Sequence, residues 1–136
     1  MRELNSMSRV LAADVYRPAS KEEETVGALE VLLGARELLL RSRWIQGAPS
    51  VSGGYSIYGA IQHVGRDAPL RAEWARKALR SLVGLSIPSW NDEPLRTRGD
   101  VLHVLGRAID MLEGRSSRVP IPIYRRRGGW SVGGVQ

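Results

Sequence analysis

Residues 25–41, TVGALEVLLGARELLLR, constrain the fold of this chain more than any other stretch. Wound into an α-helix at about 100° per residue, they place apolar side chains over roughly three quarters of the circumference. A helix with so much apolar surface must be surrounded, which predicts that it is the central helix of the domain. Gly27 and Gly34 share one face of that helix, so we expect another part of the chain to approach its backbone closely there.

The residues before this stretch carry a helix start signal. Ser20 and Glu23 have the S-x-x-E spacing of a capping box. In that motif the serine hydroxyl accepts from the third helical amide, and the glutamate accepts from the amide of the cap residue. The central helix is therefore predicted to span residues 21–43.

Two further helices are predicted after a loop at residues 48–54, which is rich in Ser, Gly and Pro. The first spans residues 55–64. The second spans residues 68–83, with Asp67 as its N-cap and Pro69 in its first turn. Both have apolar side chains at the spacing of one helix face.

Residues 84–96 are predicted to be a loop, because two prolines interrupt any continuous helix there. Trp90 is large enough to require burial and is expected to anchor this loop to the central helix. The last predicted helix is capped by Thr97 and ends at Gly114. It has the most regular apolar pattern of the chain.

The predicted fold is all-α: a compact bundle of four principal helices around the central hydrophobic helix. The helical domain covers residues 20–114. Residues 1–19 are an N-terminal arm or short helix, and residues 115–136 are an extended basic C-terminal arm rich in Pro, Arg and Gly. The chain has the length of one domain.

Two charged features of the predicted helices each allow two interpretations. Arg36 lies inside the apolar arc of the central helix, so either its stem lies on the core with its charge in solvent or it pairs with Asp92 or Asp110. A ridge on the third helix is either a solvated face, which we favour, or a surface that tracks phosphates. The ridge consists of Glu73, Arg76, Lys77 and Arg80.

Residues 3–16 carry a narrow apolar stripe at helical spacing. The stripe consists of Leu4, Met7, Leu11 and Val15. Either this segment packs on its own domain or it docks on a partner. We favour packing on its own domain, because such stripes are more often part of a core.

The C-terminal arm holds most of the net charge. The chain has a formal net charge of +6, and residues 117–136 contain Arg118 and Arg125 to Arg127 with no acidic residue. The rest of the chain is therefore close to neutral. Alternating prolines at residues 119–124 predict an extended polyproline-like segment, and Gly-rich sequence around Trp130 is typical of an arm that orders on contact.

Few residues have the spacing that chemistry requires. The chain contains no cysteine, which excludes disulfides, thiolate metal sites and cysteine nucleophiles. His63 and His103 have no second histidine or cysteine one helical turn away, and no phosphate-binding glycine motif occurs. The sequence thus predicts no catalytic residue, no metal site and no cofactor. It also contains no apolar run long enough to span a membrane and no pattern of a signal peptide.

Several short elements resemble one known family. They are Trp44-x-Gln46-Gly47, Tyr58-Gly59-Ala60-Ile61, Trp90-Asn91-Asp92, Arg96-Thr97, and a last helix with Val101, Leu105, Ala108 and Ile109. With these elements, residues 25–112 are similar to a family of small uncharacterised proteins, a domain of unknown function of actinomycetes and their phages. The Trp-Asn-Asp loop is the most specific part.

The chain departs from that family in two respects. It has Tyr55 and Ser56 where the second helix of the family often has a cysteine, and its Pro/Arg tail is not part of the pattern. The resemblance implies a source and a compact helical fold. It implies no functional residue, because no activity is established for the family.

Two hypotheses for function follow. The first is a non-enzymatic, cytoplasmic interaction protein, plausibly phage-encoded and then in the host cytoplasm, whose arms bind a protein partner or a second copy. Its expected contact residues are Ile121, Ile123, Tyr124, Arg125, Arg126, Arg127 and Trp130. The alternative is a nucleic-acid-binding protein whose arginines neutralise phosphates while Tyr124 or Trp130 stacks on bases. Neither hypothesis involves a membrane.

Overall fold

The structure is a computed structural model, and it describes residues 18–115. Of these residues, 68% are helical. The helices are α1 (Lys21–Arg41), α2 (Ile57–Val64), α3 (Pro69–Val83), α4 (Ile87–Asn91) and α5 (Arg98–Arg115), and the strands are β1 (Arg43–Trp44), β2 (Ser50–Val51) and β3 (Gly54–Tyr55). The predicted arms fall almost entirely on residues 1–17 and 116–136, outside the described residues.

Helix α1 begins as its sequence predicts. The Glu23 amide donates to Ser20 Oγ at 3.0 Å, and the Ser20 amide donates to Glu23 Oε1 at 2.8 Å, which completes the capping box. At its other end the helix stops at Arg41, two residues before the predicted end. There Arg98 of α5 donates through Nη2 to the carbonyl oxygen of Leu39 at 2.6 Å, where helix carbonyls lack intrahelical partners.

The core lies between α1 and the three helices packed against it, α2, α3 and α5. The bulkiest of its fully buried side chains are Leu32, Leu39, Ile57, Ile61, Leu79, Ile87, Leu105 and Val101. The apolar arc of α1 is wider than its buried face, since Val26 and Leu40 remain exposed. Within residues 18–115 Arg36 has no ion pair with Asp92 or Asp110; its side chain is half-buried.

Both α1 glycines lie at close contacts, as predicted. A Cβ atom on Gly27 would lie 2.7 Å from Trp74 Cε3 of α3, and one on Gly34 would lie 2.7 Å from Val64 Cγ1 of α2. These distances are shorter than carbon atoms tolerate. The missing side chains therefore set how closely α2 and α3 approach α1.

A small sheet occupies the region that the sequence predicts as a loop. β3 pairs in parallel with β1 and antiparallel with β2, so the strand order is β1-β3-β2. Each strand has two residues, too few for an alternating pattern to be visible. Gly53 makes the turn between β2 and β3 with φ 76°, a conformation that favours glycine.

The sheet also moves the start of α2. Tyr55 belongs to β3, so the helix begins at Ile57 rather than at residue 55. Ser56 is its N-cap and accepts from the Gly59 amide at 3.0 Å. A serine in extended conformation before a helix is a typical cap.

The start of α3 and the two ends of α5 can also be compared with the prediction. The N-cap of α3 is Ala68 with no side-chain hydrogen bond, so the prediction of Asp67 was wrong, while Pro69 does lie in the first turn. Thr97 and Asp100 cap α5 reciprocally, with both bonds between 3.0 and 3.1 Å. Gly114 does not end that helix, which continues to Arg115.

The predicted loop at residues 84–96 contains one short helix. It is α4, with Ser86 as N-cap. Pro88 lies in the first turn of this helix, where the missing amide donor is not needed, and Pro94 lies after the helix has ended. Within residues 18–115, no helix combines the length and the apolarity needed to cross a membrane.

Replacing Gly27 by alanine should destabilise the protein, whereas the same change at Gly106 should stabilise it. Alanine favours a helix over glycine by about 1 kcal/mol, and nothing lies within 4 Å of a Cβ at Gly106. At Gly27 the Trp74 ring must move, and such overpacking costs roughly 1–3 kcal/mol. Urea unfolding of both variants measures the difference. Equal stabilisation at the two positions would show that the α1–α3 contact is looser than described.

Candidate functional site

Two loops meet at the end of the bundle where α1 stops. One follows β1 and the other contains α4, and they are joined by a network of hydrogen bonds between residues more than 40 positions apart. We call this network the Asn91 brace. It consists of Trp44, Gln46, Gly47, Asn91 and Asp92. These are the residues of two of the short elements described above.

The side chain of Asn91 is the centre of the brace. It is 0% exposed. Its Oδ1 accepts from Trp44 Nε1 at 2.7 Å and from the Ile57 amide at 3.0 Å. Its Nδ2 donates to the Ile45 carbonyl at 3.1 Å and to Asp92 Oδ1 at 2.9 Å. Both acceptor positions and both donor hydrogens of the amide are therefore used, as a buried amide requires.

The remaining members fix the loop backbones. Gln46 Nε2 donates to the carbonyl oxygens of Asn91 at 3.0 Å and Glu93 at 2.8 Å. Asp92 Oδ1 accepts from the Gly47 amide at 3.0 Å. Gly47 has φ 87°, so the turn that aims this amide at Asp92 favours glycine.

Gly59 belongs to the same junction. The Pro49 carbonyl accepts from the Ser56 amide at 2.9 Å, which brings this loop onto the first turn of α2. A Cβ atom on Gly59 would lie 1.7 Å from that carbonyl oxygen. No side chain fits there, so the Gly59-Ala60-Ile61 element is explained by backbone contact and not by ligand binding.

Trp90 anchors the loop less completely than its size suggests. It is half-buried against the core, while its neighbour Asn91 is fully buried. Arg96 donates through Nε to the Trp90 carbonyl at 2.8 Å, and its guanidinium carbon lies 3.8 Å from the Trp90 ring centroid. This cation–π contact closes the loop after α4.

A small cleft of about 120 Å³ lies beside the brace. It is lined by Gly47, Ala48, Pro49, Ser56, Tyr58, Pro88 and Asp92. Tyr58 also has the Arg76 guanidinium carbon 5.4 Å from its ring centroid. One carboxylate and mostly apolar walls do not form the converging set of polar groups that catalysis requires.

Two leucines project from the loops that flank α4. Leu85 is 94% exposed and Leu95 is 91% exposed. They are the most exposed large apolar side chains among residues 18–115. Two isolated leucines are common on protein surfaces and do not form the broad patch that marks an interface.

Each basic side chain of the ridge on α3 is paired with a carboxylate. Glu73 accepts from Arg80 Nη2 at 2.7 Å and from Arg76 Nε at 3.1 Å. The hydrogen bond from Arg80, followed by that from Arg76, lowers the pKa of Glu73. Lys77 lies 3.7 Å from Glu24 of α1. This pairing favours the interpretation of the ridge as a solvated face over a phosphate-tracking surface.

The contact residues predicted from sequence stay a prediction, because they are not among the residues that the structure describes. Residues 121–127 and Trp130 all lie outside the described residues. His63 is exposed beside Tyr55, with ring centroids 5.2 Å apart, and His103 is exposed. Within residues 18–115, no group of three or more His, Cys, Asp or Glu side chains is placed to hold a metal ion.

Sequence reasoning missed the brace, although it singled out the elements that form it. The sequence signal for it is that a tryptophan stands close to an amide or carboxylate residue in each of two separate loops. Periodicity could not show that these loops meet.

A comparison with protein families supports a single assignment. A family model, described as a family of unknown function (DUF6197), matches residues 23–111. The chain belongs to this family of unknown function. No curated protein and no solved structure matches the chain. The DUF6197 match contains the whole Asn91 brace and ends before the Pro/Arg tail.

Asn91→Asp should destabilise the protein, and more so as pH rises. The new carboxyl group would face the Ile45 carbonyl and Asp92 Oδ1, which favours its protonated form and raises its pKa above the unfolded value of about 3.9. The variant is therefore closest to the parent at acidic pH and loses stability as pH rises through the folded-state pKa. At pH 7 we expect a loss on the order of 3 kcal/mol.

The measurement is urea unfolding of parent and variant at a series of pH values from acidic pH to pH 7. Gln62→Glu, the same chemical change at an exposed position of α2, is the control and should change stability by about 0.5 kcal/mol or less. A pH-independent difference for Asn91→Asp would contradict the described burial.

Gly59→Ala should destabilise more than Gly27→Ala. The methyl group of an alanine at position 59 would meet a backbone carbonyl, which moves only with its whole loop. The methyl group of an alanine at position 27 would meet a side chain. We expect a loss of roughly 3 kcal/mol or more. Urea unfolding compares the two variants, and the reverse order would show that the Pro49 loop yields easily.

Proposed function

We propose that this protein is a non-enzymatic interaction protein that binds a protein partner or a second copy of itself through its terminal arms. In the C-terminal arm, Ile121, Ile123, Tyr124 and Trp130 supply apolar contacts, and Arg125 to Arg127 supply charge. The observation that carries the proposal is the Asn91 brace. The polar groups of the brace bind one another. The most distinctive residues of the body, residues 18–115, therefore serve the structure of the body.

An enzyme needs polar groups directed toward a substrate. In the brace, the Asn91 amide uses all its hydrogen-bonding capacity internally. Asp92 Oδ1 and Gln46 Nε2 bind backbone groups of the opposing loop. Glu73, whose pKa is lowered, owes that shift to a surface pair with arginines. These arrangements support an interaction role over catalysis.

The distribution of charge supports the assignment of binding to the arms. Residues 18–115 contain thirteen basic and twelve acidic side chains, a net charge of +1, whereas residues 116–136 contain four basic and no acidic ones. A partner with an acidic surface would therefore be attracted mainly to the C-terminal arm.

The acid-free tail also favours a second candidate function, nucleic-acid binding. Arg118 and Arg125 to Arg127 would neutralise phosphates, and Tyr124 or Trp130 would stack on bases. The near-neutral body ranks this candidate below the first, because nucleic-acid-binding domains usually present a basic face.

We further propose an actinomycete or actinophage source and a cytoplasmic location, in the host if the protein is phage-encoded. The support is compositional. The chain has eighteen arginines, only two lysines and no cysteine. Codons of GC-rich genomes favour arginine over lysine, and a cytoplasmic protein needs no disulfides.

Deleting residues 116–136 should weaken binding strongly and change the melting temperature of the body little. Within residues 18–115, α1, α2, α3 and α5 already share a buried apolar core. Sedimentation over a range of concentrations measures self-association, and affinity capture from host lysate measures partner binding. A body that unfolds on truncation would show instead that the tail belongs to the core.

Two matched tail variants separate the candidate functions. For a protein partner, Ile121→Ser with Ile123→Ser should abolish binding, while exchange of Arg125 to Arg127 for glutamine should weaken it modestly. For nucleic acid the ranking reverses, and four phosphate contacts give a log–log salt slope of about −3 to −4. We expect the first ranking and a shallow slope.

A further inference from the structure

An open groove of about 420 Å³ lies where α1 begins and α5 ends. The Asn91 brace follows the other end of α1, which is about 30 Å long. Helices α1, α3 and α5 form the groove. Among the residues that line it are Thr25 and Ala28 of α1, Trp74, Ala78 and Ser81 of α3, and Leu112 of α5.

The floor of the groove is apolar and made largely of small side chains. Ala28, Ala78 and Leu112 are buried there, and the half-buried indole of Trp74 forms one wall. Two alanines beside one another leave room for larger apolar side chains from another segment. Such a groove suits an amphipathic helix, which inserts side chains at positions i, i+3, i+4 and i+7.

The rim of the groove is basic. Lys77 pairs with Glu24, but Lys21 and Arg115 have no acidic partner within the described part of the chain. Together the lining residues carry three basic side chains and one acidic one. This excess of positive charge opposes an occupant with the charge of the C-terminal arm, which carries four arginines and no acid.

The N-terminal segment has the matching chemistry and the right attachment point. Its stripe of Leu4, Met7, Leu11 and Val15 has helical spacing, and Asp14 next to Val15 provides an acid for the basic rim. The described chain begins at Pro18, three residues before Lys21, which lines the groove. The N-terminal segment therefore joins the body beside the groove.

We propose that residues 3–16 form an amphipathic helix whose apolar stripe packs into this groove of the same molecule. With the N-terminal arm held in this way, the partner binding proposed above rests mainly on the C-terminal arm. The inference rests on the groove and the stripe. It does not depend on the proposed function, and it would stand if the tail bound nucleic acid.

Engineered disulfides test this directly, because the chain contains no cysteine. Leu11→Cys is combined in the full-length chain with Ser81→Cys on one side of the groove or with Thr25→Cys on the other. Ala13→Cys, on the opposite face of the predicted helix, is the matched control. A third series places Ile121→Cys in the tail against the same two positions.

In a glutathione redox buffer, at least one Leu11 pair should form an intramolecular disulfide roughly tenfold or more faster than its Ala13 counterpart. Non-reducing electrophoresis and peptide mass spectrometry distinguish bonds within a chain from bonds between chains. Equal rates for the Leu11 and Ala13 series would overturn the proposal. So would disulfides between copies, or faster bonding of Ile121, which would assign the groove to a second molecule or to the tail.

A second pair of variants tests packing without cross-linking. Leu11→Glu places a charge on the stripe, while Ala13→Glu places the same charge on the opposite face. The first should lower the melting temperature by roughly 4–8 °C, and the second should leave it near that of the parent. Equal melting temperatures for the two variants would count against docking.

Discussion

The buried amide of Asn91 is the interaction on which the loop end of the bundle depends. Removed from water, an amide is stable only when all its polar atoms are paired. Here its four partners are Trp44 of β1, Ile45 just after it, Ile57 at the start of α2, and Asp92 just after α4. Losing any one element would leave the others with unpaired polar groups. The brace therefore selects a single arrangement of the two loops.

Helix packing depends on a different constraint: glycines, which have no side chain, stand at the positions where two elements approach most closely. Gly27, Gly34 and Gly59 each lie where a Cβ atom would collide with a neighbouring element. Glycine weakens a helix by about 1 kcal/mol relative to alanine. Closer approach of α2 and α3 to α1, and of the Pro49 loop to α2, offsets that loss by burying more apolar surface.

The body and the arms of this protein carry different physical properties. The DUF6197 match covers residues 23–111, which contain the brace and most of the core, whereas most of the net charge lies beyond them in the C-terminal arm. Within the matched range, the brace and the core are explained by folding. Interaction properties are expected in the arms, and the basic-rimmed groove between α1, α3 and α5 links one arm to the body.

The sequence by itself determined what depends on neighbours in the chain. The Ser20–Glu23 and Thr97–Asp100 caps, the helical character of α1 and α5 and the close contacts at Gly27 and Gly34 all follow from local spacing, because helix signals act within a few residues. It could not determine the parallel pairing of β1 with β3 or the contact of Arg98 with the end of α1. Nor could the sequence predict the hydrogen bond between Trp44 and Asn91, which are 47 residues apart. Such contacts depend on how the helices pack, so only the tertiary structure decided that the two tryptophan motifs form one brace.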